Sequence, residues 1–124
     1  SASAAGKASP WRSSASDERV NAEGEQVRGY LVGNIVVRDR AVFERYGREV
    51  ASVIKAFGGR YLVRGGAIAP VEGDLPIARL VIVEFPSMAD LRRFYDSPEY
   101  APLLQMRIDS TTSNIIFVEG YEAP

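Results

Sequence analysis

Residues 29–37 read GYLVGNIVV, an apolar and β-branched run that predicts a β-strand. Two residues later Asp39 can cap a helix, and large apolar residues then recur every three or four positions as far as Phe57. Gly58 and Gly59 predict the end of this helix, because glycine accepts the left-handed backbone conformation that follows a helix. The stretch is therefore a strand joined to an amphipathic helix, the first part of a β-α-β unit.

Three more strands and a second helical segment follow. The strands are predicted over residues 60–64 (RYLVR), 79–85 (RLVIVEF) and 114–121 (NIIFVEGY). The second helical segment comes in two pieces. Ser87 caps the first, while Ser97, with Pro98 at the first helical position, caps the second, which runs to about Ser110. The order β-α-β-β-α-β predicts an α+β, ferredoxin-like fold, in which two helical segments cover one face of a four-stranded antiparallel sheet.

The strands carry apolar side chains on both faces of the predicted sheet. In the first strand Leu31 and Ile35 alternate with Val32 and Val36, yet two helical segments can cover only one face. An apolar face of this size favours association. We therefore expect a homodimer in which two sheets pack face to face about a two-fold axis.

Residues 1–27 differ in composition from the rest of the chain. They are rich in Ser and Ala, and Trp11 is their only large aromatic residue. This composition predicts a flexible arm, which leaves residues 28–124 as the folded domain. A monomer whose arm covers the open sheet face is the alternative to a dimer, although the arm offers few apolar side chains for that purpose.

The composition of the chain excludes several classes of protein. Its 124 residues are 46% hydrophobic and 25% charged, which predicts one globular domain. It contains neither cysteine nor histidine, which excludes disulfides, iron–sulfur clusters, histidine-ligated metals and a Ser-His-Asp triad. A net charge of −1 favours no nucleic acid, and no apolar run is long enough to span a membrane or resembles a signal peptide. We expect a cytoplasmic protein without cofactor or metal.

Polar residues interrupt three of the predicted strands. Asn34 lies within the first, Arg64 ends the second and Glu84 lies within the third. If all three shared one face of the sheet, they would form a polar cluster in an apolar cleft, which is typical of a small-ligand site. The alternative is a buried Arg64–Glu84 ion pair, with Asn34 as a hydrogen-bonding neighbour. Strand register and bulges decide between these alternatives, and the sequence does not reveal them.

The second helical segment offers further candidate residues. Tyr95 and Tyr100 can direct hydroxyl groups into a cleft, although residues 97–100 are also explained as a helix start. Arg107 can bind a carboxylate substrate. Its structural alternative is an ion pair with an acidic neighbour: Asp96, Glu99 or Asp109.

These residues together resemble the domain-of-unknown-function family 1330, within the dimeric α/β-barrel superfamily. The resemblance rests on residues 29–30, 59–66, 71–73, 82–87, 97–100, 107 and 118–121. It implies a ferredoxin-like fold and a sheet-to-sheet dimer, but no established activity. Relatives in the wider superfamily include enzymes that depend on histidine, whose chemistry this chain cannot share. The family often has Asp-Pro at the start of its first helix, whereas here Arg40 follows Asp39.

Two functions of different classes fit these features. The first is the binding of a small organic molecule, anions included, in a cleft between sheet and helices, with or without cofactor-independent catalysis. Arg64 and Arg107 would contact an anion, Asn34 and Tyr100 would be hydrogen-bonding partners, and Glu84 would be the acid–base group. The alternative is a non-catalytic structural or assembly protein whose polar cluster only fixes the dimer.

Overall fold

The computed structural model describes Val20 and residues 26–121, so most of the predicted arm over residues 1–27 lies outside the described residues. The described residues contain seven helices and strands: β1 (Gly29–Val37), α1 (Arg40–Ala56), β2 (Arg60–Arg64), β3 (Leu80–Phe85), α2 (Met88–Tyr95), α3 (Ala101–Ser110) and β4 (Thr111–Glu119). Within the described residues, no helix is long and apolar enough to cross a membrane.

The four strands form one antiparallel sheet in the order β2-β3-β1-β4. With the three helices, this makes an α+β fold, as predicted. The bounds of β1 and β2 also agree with the prediction. β4 begins three residues earlier than predicted, directly after α3 and without an intervening loop.

Capping residues explain where the first helix begins and ends. The Asp39 carboxylate accepts a hydrogen bond of 3.1 Å from the backbone N–H of Val42, so it is the N-cap of α1. Gly58 has a φ of +84°, a conformation in which other residues are strained. Both predictions for this helix are therefore confirmed.

A turn separates α2 from α3, so the second helical segment comes in two pieces, as predicted. The Ser97 hydroxyl accepts a hydrogen bond of 3.1 Å from the N–H of Tyr100, the bond expected of a capping serine. Residues 98–100 nevertheless form a turn, and α3 begins only at Ala101. α3 thus begins three residues later than the predicted helical piece, which starts at Pro98.

The hydrophobic core lies between the helices and one face of the sheet. Leu31, Val83 and Phe85 supply the strand side of this core. The helix side consists of buried residues from all three helices: Val50, Ile54, Leu91, Phe94, Leu103 and Leu104. Tyr100, in the turn before α3, is 1% exposed and completes the core.

The opposite face of the sheet carries apolar side chains that are exposed. Val32 pairs with Ile116 across β1 and β4, and Tyr30 pairs with Val118, so all four side chains point to the same side. Ile116 is 57% exposed and Val36 is 49% exposed. We call this side of the sheet the open face. Its composition agrees with the expectation that the strands are apolar on both sides.

Candidate functional site

A β-bulge in β2 decides where Arg64 points. Tyr61 pairs with Val83 of β3, but Val63 pairs with Ile82, so that one extra residue, Leu62, lies between the two pairs. The alternation of side chains is reversed after this point, and Arg64 faces the helices. Without the bulge, period-two alternation would place Arg64 on the open face.

The predicted cluster of Asn34, Arg64 and Glu84 therefore does not form. Asn34 and Glu84 both lie on the open face. Asn34 pairs with Leu80 and Glu84 pairs with Tyr30, and these two pairs are four residues apart along β1 and β3. Arg64 lies on the other side of the sheet. The alternative of an Arg64–Glu84 ion pair is excluded by the same geometry.

Glu84 is the centre of an ion cluster on the open face. Its carboxylate accepts hydrogen bonds from Arg60 Nε at 2.8 Å and from the Tyr30 hydroxyl at 2.9 Å, and Arg28 Nε lies 3.7 Å away. Desolvation raises the pKa of Glu84, but the hydrogen bonds from Arg60 and Tyr30 and the charges of Arg60 and Arg28 outweigh it. The net effect holds the pKa of Glu84 below its ordinary value.

Glu84→Gln is expected to make the free energy of unfolding fall less steeply as the pH is lowered into the acidic range. Because the pKa of Glu84 is lowered in the folded state, ionised Glu84 contributes stability above the unfolded pKa of about 4.3. That contribution is lost as the pH falls through the folded pKa. Urea unfolding of parent and variant from about pH 3 to pH 7 measures the difference, which should shrink in acid.

Arg60→Gln provides the matched test of this interpretation, because it removes the hydrogen bond from Arg60 to Glu84. In the Arg60→Gln background, Glu84→Gln should change the pH profile of the unfolding free energy less than it does in the parent. A stability difference between parent and Glu84→Gln that is the same at every pH would contradict the assignment of Glu84 as a paired carboxylate.

Asn34 holds the end of the long loop between β2 and β3. Its side-chain amide donates to the carbonyl of Pro76 at 3.0 Å, and its side-chain oxygen accepts from the N–H of Ala78 at 3.1 Å. Both polar groups of the side chain are thus used by backbone. Asn34 interrupts an apolar strand because it fixes the loop where β3 begins.

A cavity lies between the helices and the sheet and opens beside α1. Its volume is about 60 Å³, which exceeds the roughly 10–15 Å³ that one water molecule needs. Its polar side chains are three arginines and three tyrosines: Arg64, Arg79, Arg107, Tyr46, Tyr61 and Tyr100. The rest of its lining is aliphatic, aromatic or glycine, and no lining residue is acidic. The cavity is therefore electropositive.

Arg107 of α3 is a buried cation at the wall of this cavity. It is 4% exposed, and its three guanidinium nitrogens donate to the hydroxyl groups of Ser113 at 2.7 Å, Tyr95 at 3.2 Å and Tyr100 at 3.4 Å. Within the described residues it forms no ion pair. The expected alternative, a pair with Asp96, Glu99 or Asp109, is therefore not found there.

Burial keeps the hydroxyl groups of Tyr46, Tyr61 and Tyr95 neutral. The hydroxyls of Tyr46 and Tyr100 lie 3.1 Å apart. Burial, followed by the neighbouring Tyr100, raises the pKa of Tyr46 well above its ordinary value. Burial also raises the pKa of Tyr61 and of Tyr95. Of these, Tyr46 and Tyr61 line the cavity and can donate their protons to a bound oxygen at neutral pH.

Arg64 and Arg79 lie where the cavity opens into a wider groove. The groove has a volume of about 570 Å³, and both arginines line the groove as well as the cavity, together with Phe43. Arg64 Nη2 donates to the carbonyl of Gly47 at 2.8 Å, and its guanidinium lies 4.4 Å from the ring centre of Tyr61. The mouth of the cavity thus carries two further cations.

Three of the five predicted site residues come together in this cavity: Arg64, Tyr100 and Arg107. Asn34 and Glu84 lie on the open face instead. Arg79, Tyr46 and Tyr61 also line the cavity, although the sequence did not indicate them as site residues. Tyr46 was part of the apolar stripe of α1, and only the i, i+3 spacing from Phe43 could have indicated its position. Within the described residues, no group of acidic side chains could hold a metal ion.

Comparisons with known proteins give a family and a fold. The profile of the family described as Domain of unknown function (DUF1330) matches residues 28–121. The crystal structure of RPA0582, a protein of unknown function from Rhodopseudomonas palustris, is 17% identical, with a TM-score of 0.62 over 78% of this chain and 85% of that one. The methylated RPA0582 protein is 16% identical, with a TM-score of 0.66 over 86% and 85% of the two chains. No curated protein matches the chain.

Proposed function

This chain belongs to the DUF1330 family, and on that premise we propose that it binds a small organic anion in the cavity between sheet and helices. The observation that carries the proposal is the environment of Arg107. This residue is 4% exposed, yet its hydrogen bonds in the described residues go only to hydroxyl groups. A buried charge is costly unless it is paired, and a bound carboxylate supplies the missing negative charge.

The neighbours of Arg107 support the same proposal. A guanidinium group and a tyrosine hydroxyl can both donate to carboxylate oxygens, and Tyr100 lies within hydrogen-bonding distance of Arg107. The aliphatic and aromatic lining suits an apolar body attached to the acidic group. We therefore assign Arg64, Tyr100 and Arg107 to ligand binding, as the sequence analysis expected, and add Tyr46.

The chemistry of the lining favours binding over proton abstraction. The polar lining side chains donate hydrogen bonds or carry positive charge, and none is a carboxylate. Such a set of side chains can stabilise negative charge that develops on a bound oxygen. This is the contribution to catalysis that the site suits best. We assign no proton transfer to Glu84, because it lies on the open face and two arginines lower its basicity.

We also propose that the protein is a homodimer with the architecture of a ferredoxin-like, dimeric α/β barrel. The antiparallel strand order β2-β3-β1-β4 and the exposed apolar side chains of the open face support this. Asn34 and the Glu84 ion cluster lie on that face, which favours the second candidate function, an assembly protein whose polar residues fix the dimer. The two functions are compatible, since the cavity and the open face lie on opposite sides of the sheet.

Arg107→Met is expected to weaken anion binding strongly while the protein stays folded. Removing the cation should raise the dissociation constant for pentanoate about 100-fold, or ~3 kcal/mol. The substitution removes a buried charge that has no ion pair within the described residues, which is favourable, but three hydroxyl groups lose their hydrogen-bond donor. The free energy of unfolding of the unliganded protein should therefore fall by no more than about 2 kcal/mol. Isothermal titration calorimetry and urea unfolding measure the two effects.

Arg45→Met is the matched control, because Arg45 lies on the exposed side of α1 and pairs with Glu49. It should leave pentanoate binding unchanged. Native mass spectrometry of the purified protein adds an independent test, since a stoichiometric organic acid would identify the ligand class. If pentanoate bound Arg107→Met as tightly as it bound the parent, the proposed site would be wrong.

A further inference from the structure

Two arginines lie at the mouth of the cavity, apart from the buried Arg107. Arg64 and Arg79 line both the inner cavity and the outer groove. Arg107 lines the inner cavity but not the groove. The site therefore has two centres of positive charge, one inside and one at the mouth.

Arg79 has the environment of a binding residue rather than a structural one. Its Nε is buried and has no hydrogen-bond partner, and its guanidinium lies 5.4 Å from the ring centre of Phe43. Within the described residues neither Arg79 nor Arg64 forms an ion pair. A buried hydrogen-bond donor without a partner is destabilising. An arginine with a purely structural role would be expected to donate a hydrogen bond from its Nε.

The groove outside the mouth strengthens the positive charge. It is lined by Arg40, Glu44 and Arg48 in addition to the two mouth arginines. Glu44 lies 3.3 Å from Arg40, so its negative charge is already paired. The groove thus keeps a positive excess that attracts an acidic group to the mouth.

We propose that the ligand is a short organic acid with a second acidic group at its far end, a dianion that spans the cavity. This inference rests on the proposed function. The inner carboxylate binds Arg107 and Tyr100, and its single charge matches the single guanidinium there. The outer acidic group binds Arg79 and Arg64, and the apolar walls between them contact the carbon chain. One acidic group at each centre satisfies the buried Arg107 and the unpartnered Nε of Arg79.

The test compares acids of equal carbon number on the full chain at fixed ionic strength, by calorimetry. The pairs are butanoate with succinate, pentanoate with glutarate, and hexanoate with adipate. We expect at least one dicarboxylate to bind 10-fold or more tightly than its monocarboxylate. 4-Phosphonobutanoate is compared with glutarate to show whether the mouth arginines prefer a carboxylate or a phosphonate. If either of these two acids binds more tightly than pentanoate, the result supports the proposal.

Variants separate this inference from the proposed function. Arg79→Gln should weaken the best dicarboxylate 10-fold or more and change its monocarboxylate less than 3-fold, whereas Arg107→Met should weaken both. Arg64→Gln is the second mouth variant, used if Arg79→Gln does not fold by circular dichroism. Equal binding of the mono- and dicarboxylates to the parent, or an equal effect of Arg79→Gln on both, would overturn the outer subsite and leave the inner one standing. Failure of every acid to bind would overturn the proposed function itself.

Discussion

Replacing Ile116 with glutamate is expected to convert a dimer into a monomer without unfolding the protein. Ile116 is 57% exposed on the open face, where it pairs with Val32 of β1. If two open faces pack together about a two-fold axis, the substitution buries two carboxylates without partners, which costs several kcal/mol. The dissociation constant of the dimer should therefore rise by about 1,000-fold or more, or ~4 kcal/mol.

Size-exclusion chromatography with light scattering, at equal protein concentrations, measures this change as a halving of the mass. Ala41→Glu is the matched control, because it adds the same charge on the exposed first turn of α1 and should leave the dimer intact. Circular dichroism checks that both variants keep their helices. A parent protein that is monomeric at micromolar concentration, or an Ile116→Glu variant that stays dimeric, would contradict face-to-face packing.

Phe94→Ala is expected to lower the free energy of unfolding by about 3–5 kcal/mol, the usual cost of truncating a buried aromatic side chain. Phe94 is 1% exposed. Its ring centre lies 4.5 Å from that of Tyr100, 5.2 Å from that of Phe85 and 6.1 Å from that of Phe57. The side chain thus joins α2 to the sheet, to the end of α1 and to the turn before α3. A loss of this size is a large fraction of the roughly 5–15 kcal/mol that stabilises a typical domain.

Urea unfolding at one protein concentration measures the loss, since dimerisation would couple stability to concentration. Phe94→Leu should cost less, because it leaves a smaller cavity. Phe43→Ala, at the half-buried mouth of the cavity, is the control for aromatic truncation and should cost less than about 2 kcal/mol. A loss below about 1 kcal/mol in Phe94→Ala would show that the core does not depend on this ring.

Signals within a few residues predicted most of the secondary structure. Asp39 as the cap of α1, Gly58 at its end and Ser87 as the cap of α2 are all confirmed. The start of β4 was missed because α3 runs directly into it at Thr111, with neither glycine nor proline at the junction. Local sequence marks a boundary only where the backbone needs a special residue.

The candidate site was predicted in part. Tyr100 and Arg107 were identified as residues that could point into a cleft, and both line the cavity. Arg79 was not identified, because an arginine at the start of a strand looks like an ordinary surface residue. Its Nε is buried and its guanidinium lies beside Phe43 of α1, a contact that no feature within the strand indicates.

The sequence by itself determined the elements, their order and the two-sided apolar character of the strands, because these follow from side-chain periodicity and from capping residues close in the chain. Only the tertiary structure decided which polar residues meet. One extra residue in β2, Leu62, reverses the direction of every side chain after it, so Arg64 joins Arg107 at the cavity and leaves Glu84 on the open face. Strand pairing between distant residues selects that bulge, and a register shift of one residue exchanges the two faces of a strand.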